Sequence, residues 1–285
     1  MRGGQSGGGA WEGSRPPGPF GGLLLAMETA GREGSAALAA WTGGAPERLE
    51  VLARLPLLPE EEHASLLIPR IQALMEEVGA DREELSGIIV GAGPGSFTGV
   101  RVAAATAKGL ARALNLPLWA FSSLAAAAVE DGSGGSGTAG DASTPAGDGV
   151  GSGSPSPFDR IRSRCVLFDA RGDRVYAAAY RLAGRGLETI LEPRAATVGE
   201  MINGLLPPGA LLMGEGALRH RAILEDAGHP VLGPPFGYPT ADGLIRLLSL
   251  DPDTPPLEDP GRWEPEYLRA SGAERIWKAR KGTGS

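Results

Sequence analysis

The chain alternates short apolar runs with longer segments in which apolar residues recur every three or four positions. Residues 23–41 read as an apolar strand, a glycine-containing turn and a second strand, and residues 164–182 repeat that pattern. Residues 88–90 and 117–121 are further apolar runs of strand length. The mixture of these strands with helical segments predicts the α/β class.

Helical periodicity is clearest in residues 63–79, where Pro69 predicts a kink or a second helix start. A glycine-rich turn then leads into an alanine-rich helix that runs from Thr98 to Leu114 and ends near Asn115. In the second half the pattern predicts a strand at 210–213, a helix at 217–228 and a helix at 240–250 capped by Thr240.

The two strand-turn-strand segments resemble each other in detail. A shift of 141 positions places Glu28 on Asp169, Gly31 on Gly172 and residues 36–37 on 177–178. In both segments an acid ends the first strand and a glycine turn returns the chain. The match suggests two copies of one α/β unit.

Composition divides the chain into five parts. Residues 131–157 are almost entirely Gly, Ser, Ala, Thr, Asp and Pro, which predicts a flexible insertion. Residues 1–20 predict a disordered extension, and residues 273–285 a basic tail. The structured sequence is then expected at 21–130 and 158–272.

Charge and cysteine content exclude several classes of protein. The 27 basic and 34 acidic residues give a net charge of −7, so a general polyanion binder is not expected. Cys165 is the only cysteine, which excludes an internal disulfide. The first twenty residues contain no apolar core of signal-peptide type. We therefore expect a soluble cytoplasmic protein without a membrane anchor.

The loop of residues 91–99, GAGPGSFTG, resembles a phosphate-binding loop but matches neither standard motif. It lacks the lysine of a Walker A loop and the sixth-position glycine of a dinucleotide fingerprint. Two interpretations stay open. The loop could hold an anion with backbone N–H groups and the hydroxyls of Ser96 and Thr98, or Thr98 could cap the helix while the glycines allow close packing.

The strand-end acids Glu28 and Asp169 also allow two interpretations. Strand ends often carry metal-facing or catalytic carboxylates, but the pattern favours a turn acid that accepts backbone hydrogen bonds. The three histidines form no zinc-binding pair, so no metal site is predicted. The only serine-hydrolase-like match, residues 4–8, lies in the extension, where no strand-to-helix elbow is expected.

These segments together resemble one family. LLLAMETA, GAGPGSFTGVRVAAATAKGLARAL, VLFDARGDRVYAAAY and PEYLR are similar, in order, to motifs of the bacterial TsaB (YeaZ) family of threonylcarbamoyladenosine proteins. The resemblance implies an actin-like ATPase-domain (ASKHA) fold with two ribonuclease H-like subdomains. That family usually has Asp where this chain has Glu28.

The resemblance implies a non-catalytic subunit that helps to place threonylcarbamoyl on the adenosine beside the anticodon of tRNAs reading ANN codons. Its expected partners are the transferase TsaD, as a heterodimer, and the ATPase TsaE. Without them the sequence allows either a monomer or a homodimer, and tRNA is expected to be reached only through the complex. No cofactor is firmly implied, although ATP or ADP could bind within the complex at Glu28, Ser96, Thr98 or Asp169.

The resemblance also places the partner interface on the helices at 63–79 and 98–114. The expected contact residues are small or aliphatic: Leu66, Leu67, Ile71, Val100, Ala103, Ala104, Ala107 and Ala111. Alternatively, these stripes pack on the chain's own sheet. The competing functional hypothesis is a free-standing ASKHA-type phosphotransferase or a peptidase-like enzyme.

Overall fold

The structure is a computed structural model. It describes residues 22–42, 48–57, 63–130, 163–183 and 186–268. The predicted extension at 1–20, insertion at 131–157 and tail at 273–285 lie outside these residues. Among the described helices, none has the length and apolarity needed to cross a membrane.

The first half is a five-stranded sheet in the order β3-β2-β1-β4-β5. Strands β1, β2 and β3 are antiparallel, and β4 and β5 run parallel to β1. The strands are β1 (Leu23–Glu28), β2 (Gly34–Thr42), β3 (Arg48–Leu57), β4 (Leu85–Gly91) and β5 (Leu118–Phe121), and the helices are α1 (His63–Glu77), α2 (Phe97–Leu114) and α3 (Ser123–Val129).

The second half repeats this order with four strands, β8-β7-β6-β9. These are β6 (Arg164–Asp169), β7 (Arg174–Ala183), β8 (Gly186–Thr197) and β9 (Leu211–Met213). The helices are α4 (Val198–Glu200), which continues into a π-helical turn at Met201–Leu205, α5 (Glu215–Arg219), α6 (Arg221–Asp226) and α7 (Ala241–Leu250).

The two sheets confirm the duplication and correct its register. Glu28 pairs with Ser35, seven residues later, whereas Asp169 pairs with Val175, six residues later. The second hairpin is therefore one residue shorter. The shift of 141 holds for the first strand of each hairpin, but β2 corresponds to β7 at a shift of 140.

The last helix of each half packs on the sheet of the other half. Helix α3 contacts β6 and β7, whereas α7 contacts β1, β3 and β4, and the two helices contact each other. Every residue of α3 is buried. The two halves therefore share one apolar core, which lies between the sheets.

Helices α1 and α2 cover the opposite face of the first sheet. Leu67, Ile71 and Leu74 of α1 join a second core cluster together with the small residues Ala103 and Ala107 of α2. These alanines let the α2 backbone approach the sheet closely. A third cluster, beneath α5 and α6, covers the outer face of the second sheet.

The helix ends partly match the sequence. Asn115 ends α2 in the left-handed conformation at φ 52°, and the Thr240 hydroxyl caps α7 by accepting from the Gly243 amide at 3.0 Å. The cap of α2 is Ser96, not Thr98, so this helix begins one residue earlier than predicted. Helix α1 continues through Pro69, and the helix expected at 217–228 is divided at His220.

We expect Ala107→Arg to disrupt the fold, because Ala107 is fully buried against the sheet. An unpaired charge in this core should lower the free energy of unfolding by about 3 to 5 kcal/mol. Ala105→Arg is the matched control, since Ala105 is exposed on the same helix. Guanidinium denaturation of both variants measures the difference, and equal midpoints would contradict the packing.

Candidate functional site

The carboxylate of Glu28 is fully buried at the end of β1. Its Oε1 accepts a hydrogen bond from the Ala30 amide at 2.6 Å, and its Oε2 accepts one from the Ser123 hydroxyl at 2.7 Å. The side chain lies directly on Gly91 of β4, where a Cβ atom would sit 2.6 Å from Glu28 Cδ. Gly91 therefore has to be glycine for Glu28 to occupy this position.

Burial raises the pKa of Glu28 to about 7. The hydrogen bonds from Ala30, Ser123 and Thr29 favour the charged form and oppose this shift, but desolvation is the larger effect. Near neutral pH the site is therefore divided between carboxylate and carboxylic acid.

The glycine-rich loop at 91–99 wraps around the turn that follows Glu28. A Cβ atom on Gly95 would lie 2.7 Å from the Ala30 Cβ, and one on Gly99 would overlap the Thr29 carbonyl oxygen. The Ser96 amide donates to the Ala30 carbonyl at 2.8 Å, and the Thr29 hydroxyl donates to the Gly99 carbonyl at 2.6 Å. The loop holds this turn closely and needs its glycines to do so.

Four N–H groups of the loop are used inside the chain. Those of Ala92 and Gly93 donate to the Phe121 carbonyl at 2.7 Å and the Ser123 hydroxyl at 3.1 Å. The Ser96 amide donates to the turn as above, and the Gly99 amide donates to the Ser96 hydroxyl at 3.3 Å. This arrangement favours the packing interpretation of the loop.

The predicted anion contacts do not converge on one point. Glu28 is buried, whereas Ser96 and Thr98 are exposed at the start of α2, with the Ser96 hydroxyl occupied as the helix cap. An anion contact at Ser96 or Thr98 stays a prediction.

Asp169 holds its own turn as Glu28 does. Its Oδ1 accepts from the Arg171 amide at 2.9 Å, which matches the bond from Ala30 to Glu28. Its Oδ2 pairs with the Arg219 guanidinium at 2.7 Å. No group of three or more His, Cys, Asp and Glu able to hold a metal ion exists within the described ranges.

The glycines at 214 and 216, which a phosphotransferase would need for nucleotide contact, also pack inside the chain. A Cβ atom on Gly214 would lie 2.6 Å from the Leu167 carbonyl oxygen, and one on Gly216 would lie 2.9 Å from the same atom. Glu215 lies between these two glycines. Its pKa is raised by burial and then by the nearby negative charge of Asp169.

The residues predicted to meet a partner lie mostly inside this chain. Each of these positions is at most 5% exposed: Leu67, Ile71, Val100, Ala103, Ala104, Ala107 and Ala111. Leu66 belongs to α1, but its side chain lies outside the described residues. The named positions form the inner faces of the helices, because the sheet needs an apolar cover. A pairing surface on α1 and α2 has to use their outer faces.

The outer face of α2 carries a second stripe of small residues. Ala105, Gly109 and Ala113 are exposed and follow one another at intervals of four residues. A Cβ atom on Gly109 would meet nothing within 4 Å beyond its own helix. The four-residue spacing is visible in the sequence and could have indicated this face.

Two contacts within the chain were not predicted from the sequence. Ser123 at the start of α3 completes the Glu28 site, although nothing nearby in sequence pairs the two residues. The C-terminal segment, residues 257–268, lies against α2 and β5: Lys108 pairs with Glu264 at 3.0 Å, and the Leu257 amide donates to Leu118. Lys108 therefore binds the chain's own C-terminal segment.

Comparison with known proteins finds relatives in threonylcarbamoyladenosine biosynthesis. The model of the TsaD family, described as tRNA N6-adenosine threonylcarbamoyltransferase, matches residues 55–137. A Bacillus subtilis protein named tRNA threonylcarbamoyladenosine biosynthesis protein TsaB is 25% identical over 76% of this chain and 84% of its own length. The Escherichia coli protein of the same name is 36% identical over 35% of this chain and 40% of its own length. The chain is therefore similar to proteins of the TsaB (YeaZ) family over most of its length.

The structural comparison concerns the fold. A solved structure of a Pseudomonas aeruginosa protein, described as similar to peptidase YeaZ, has a TM-score of 0.63 at 24% identity. The match covers 87% of this chain and all of that chain. Together with the repeated sheet order, it confirms the predicted α/β actin-like fold with two ribonuclease H-like halves.

Glu28 should make the stability of this chain depend on pH. Its pKa rises from 4.5 to about 7 on folding, so the folded state holds a proton that the unfolded state releases between these values. The free energy of unfolding should therefore fall as pH rises from 4.5 to 7, by at most about 3 kcal/mol. Glu28→Gln keeps the shape and cannot titrate.

Urea denaturation of both proteins at pH 4.5, 6 and 8 isolates this contribution. The stability of the native protein should decline relative to Glu28→Gln across that range. Parallel stabilities at all three pH values would show that Glu28 is not buried as described.

Proposed function

We propose that this chain is a non-catalytic partner subunit in tRNA threonylcarbamoyladenosine biosynthesis. It pairs with a TsaD transferase and works with a TsaE ATPase to place threonylcarbamoyl on the adenosine beside the anticodon of ANN-decoding tRNAs. Similarity to proteins named TsaB supports the pathway. The internal use of the strand-end acids supports the non-catalytic role.

The internal hydrogen bonding of the two strand-end acids is the observation that carries the proposal. Glu28 is fully buried, with both carboxylate oxygens bonded inside the chain. Asp169 is bonded to the Arg171 amide and paired with Arg219. A carboxylate that binds a nucleotide's metal or takes a proton from a substrate has to reach the substrate. Here Glu28 and Asp169 each accept a hydrogen bond from the turn that follows their strand, so both acids stabilise the fold instead.

The outer face of α2 supports pairing through this helix. An interior helical glycine costs about 1 kcal/mol relative to alanine, and Gly109 makes no contact that offsets this cost within the described residues. A bare helix backbone flanked by Ala105 and Ala113 allows a helix of another protein to approach closely. Ile68 on α1 is 49% exposed and adds apolar surface.

The competing enzyme hypotheses are less well supported. Burial raises the pKa of Cys165 to about 12, which leaves its thiol protonated and out of contact with solvent. A phosphotransferase would need Glu28, Asp169 and residues 214–216 to face a nucleotide, and these residues brace turns or pack on β6. Calorimetry of the isolated chain with MgATP tests this alternative, because tight binding with turnover would contradict the non-catalytic role.

Gly109→Arg should abolish pairing with TsaD without unfolding the chain. The new side chain enters open space in this chain, but a long charged group prevents a close helix crossing. Ala222→Arg is the matched control, an exposed position on α6 in the other half. Co-purification with TsaD from the same organism measures pairing.

The same variants can be assayed in cells depleted of their own TsaB, with the modified nucleoside in tRNA quantified by mass spectrometry. Ala222→Arg and Glu28→Gln should restore the modification, and Gly109→Arg should not. If Glu28→Gln is stable and still pairs with TsaD but does not restore the modification, Glu28 has a chemical role. Normal pairing by Gly109→Arg would exclude this face of α2.

A further inference from the structure

A cleft lies where the glycine-rich loop, β7 and the end of the C-terminal segment meet. Its volume is about 40 Å³. Aromatic rings and one acid define its chemistry: Phe97, Tyr176, Tyr267 and Glu266. Phe97 and Tyr267 are each 42% exposed, and their ring centroids are 5.7 Å apart. Two large rings exposed side by side are typical of a binding surface.

Glu266 is the one acid among the described residues that line this cleft. Its backbone amide is fixed by donation to the Ala92 carbonyl at 2.9 Å, which holds the residue at the cleft. Burial, and then the nearby negative charge of Glu192, raise the pKa of Glu266. No ion pair of its carboxylate with a Lys, Arg or His is found in the parts of the chain that the structure describes. A bound cation would offset both the burial of the Glu266 carboxylate and its repulsion by Glu192.

The rings of this cleft already bind a guanidinium on their solvent side. The Arg101 guanidinium lies 3.8 Å from the Phe97 ring centroid and 5.4 Å from that of Tyr267. Its Nε also donates to the Tyr267 hydroxyl at 3.1 Å. Arg101 does not line the cleft, so the acid and the remaining ring surface are left to another group.

We propose that this cleft binds the guanidinium or ammonium group of a basic side chain on a partner protein, held between the aromatic rings and the Glu266 carboxylate. Aromatic faces attract a cation by their quadrupole, and the carboxylate beside them completes the site. The site is separate from the outer face of α2, and the inference does not depend on the proposed tRNA function.

A nucleic acid is the less suitable occupant of this cleft. Bases can stack on exposed aromatic rings, but the phosphates beside them would meet Glu266 and Glu192, and the chain carries a net charge of −7. The two acids favour a cationic group over a phosphorylated one.

A peptide titration followed by NMR tests the proposal on the full chain. The probe is the blocked tripeptide Gly-Arg-Gly, compared with the same peptide in which uncharged citrulline replaces arginine. The arginine peptide should shift the amide signals of Gly95, Glu266 and Tyr267, and the citrulline peptide should bind at least about tenfold more weakly. Glu266→Gln should weaken arginine-peptide binding by a similar factor.

Glu264→Gln is the matched control, because Glu264 lies two residues away and pairs with Lys108 outside the cleft. It should leave binding unchanged. Equal binding of the two peptides, or equal loss in both variants, overturns the proposal. So does binding of oligouridylate to the same amides without dependence on Glu266, since that result assigns the rings to nucleic acid.

The chain itself supplies a last alternative occupant, Arg269, which directly follows the cleft residue Leu268. Binding of the peptide only after Arg269→Gln would assign the cleft to this arginine and overturn the partner proposal.

Discussion

The Glu28 carboxylate lies against Gly91, and this contact holds the end of β1 against the end of β4, where the glycine-rich loop begins. Burying a carboxyl group is costly unless its oxygens are bonded, and here the Ala30 amide and the Ser123 hydroxyl supply those bonds. This arrangement fixes the end of β1, the turn that follows it and the start of α3 relative to β4. The glycine-rich loop then closes over the turn, and α2 starts from that loop at Ser96. Small residues at 91, 95 and 99 are required because the chain's own turn occupies the space beside them.

In this actin-like fold the glycine-rich loop packs on the chain's own turn. The concave side of the loop, where a phosphate-binding loop would hold its ligand, is occupied by residues 28–30 of the same chain. The two strand-end acids hold the two equivalent turns, and α3 and α7 exchange between the halves to complete a shared core. The surfaces of such a chain are the places where other molecules can bind. Two of them are unusual: the small outer face of α2, and the aromatic cleft beside Glu266.

The sequence was sufficient for the features that depend on local pattern. The repeated hairpins, the end of α2 at Asn115 and the Thr240 cap all follow from residue type and spacing. The features that depend on tertiary contact were not predictable in the same way. An alanine-rich helix has small residues on both faces, so spacing alone did not show that Ala103 and Ala107 face the sheet while Ala105 and Gly109 face solvent. The seven-residue helix α3 carries no helical stripe because it is buried on all sides. The partner of Glu28, Ser123, is 95 residues away in sequence.

Observation of the Glu28 carboxyl carbon by NMR during a pH titration, with and without MgATP, tests the central claim most directly. If the loop is filled by this chain's own buried acid, the signal titrates with a midpoint near 7, and MgATP leaves that midpoint unchanged. A midpoint near the ordinary value of 4.5, or one that moves when MgATP is added, would show that Glu28 faces solvent or a nucleotide and would contradict the account.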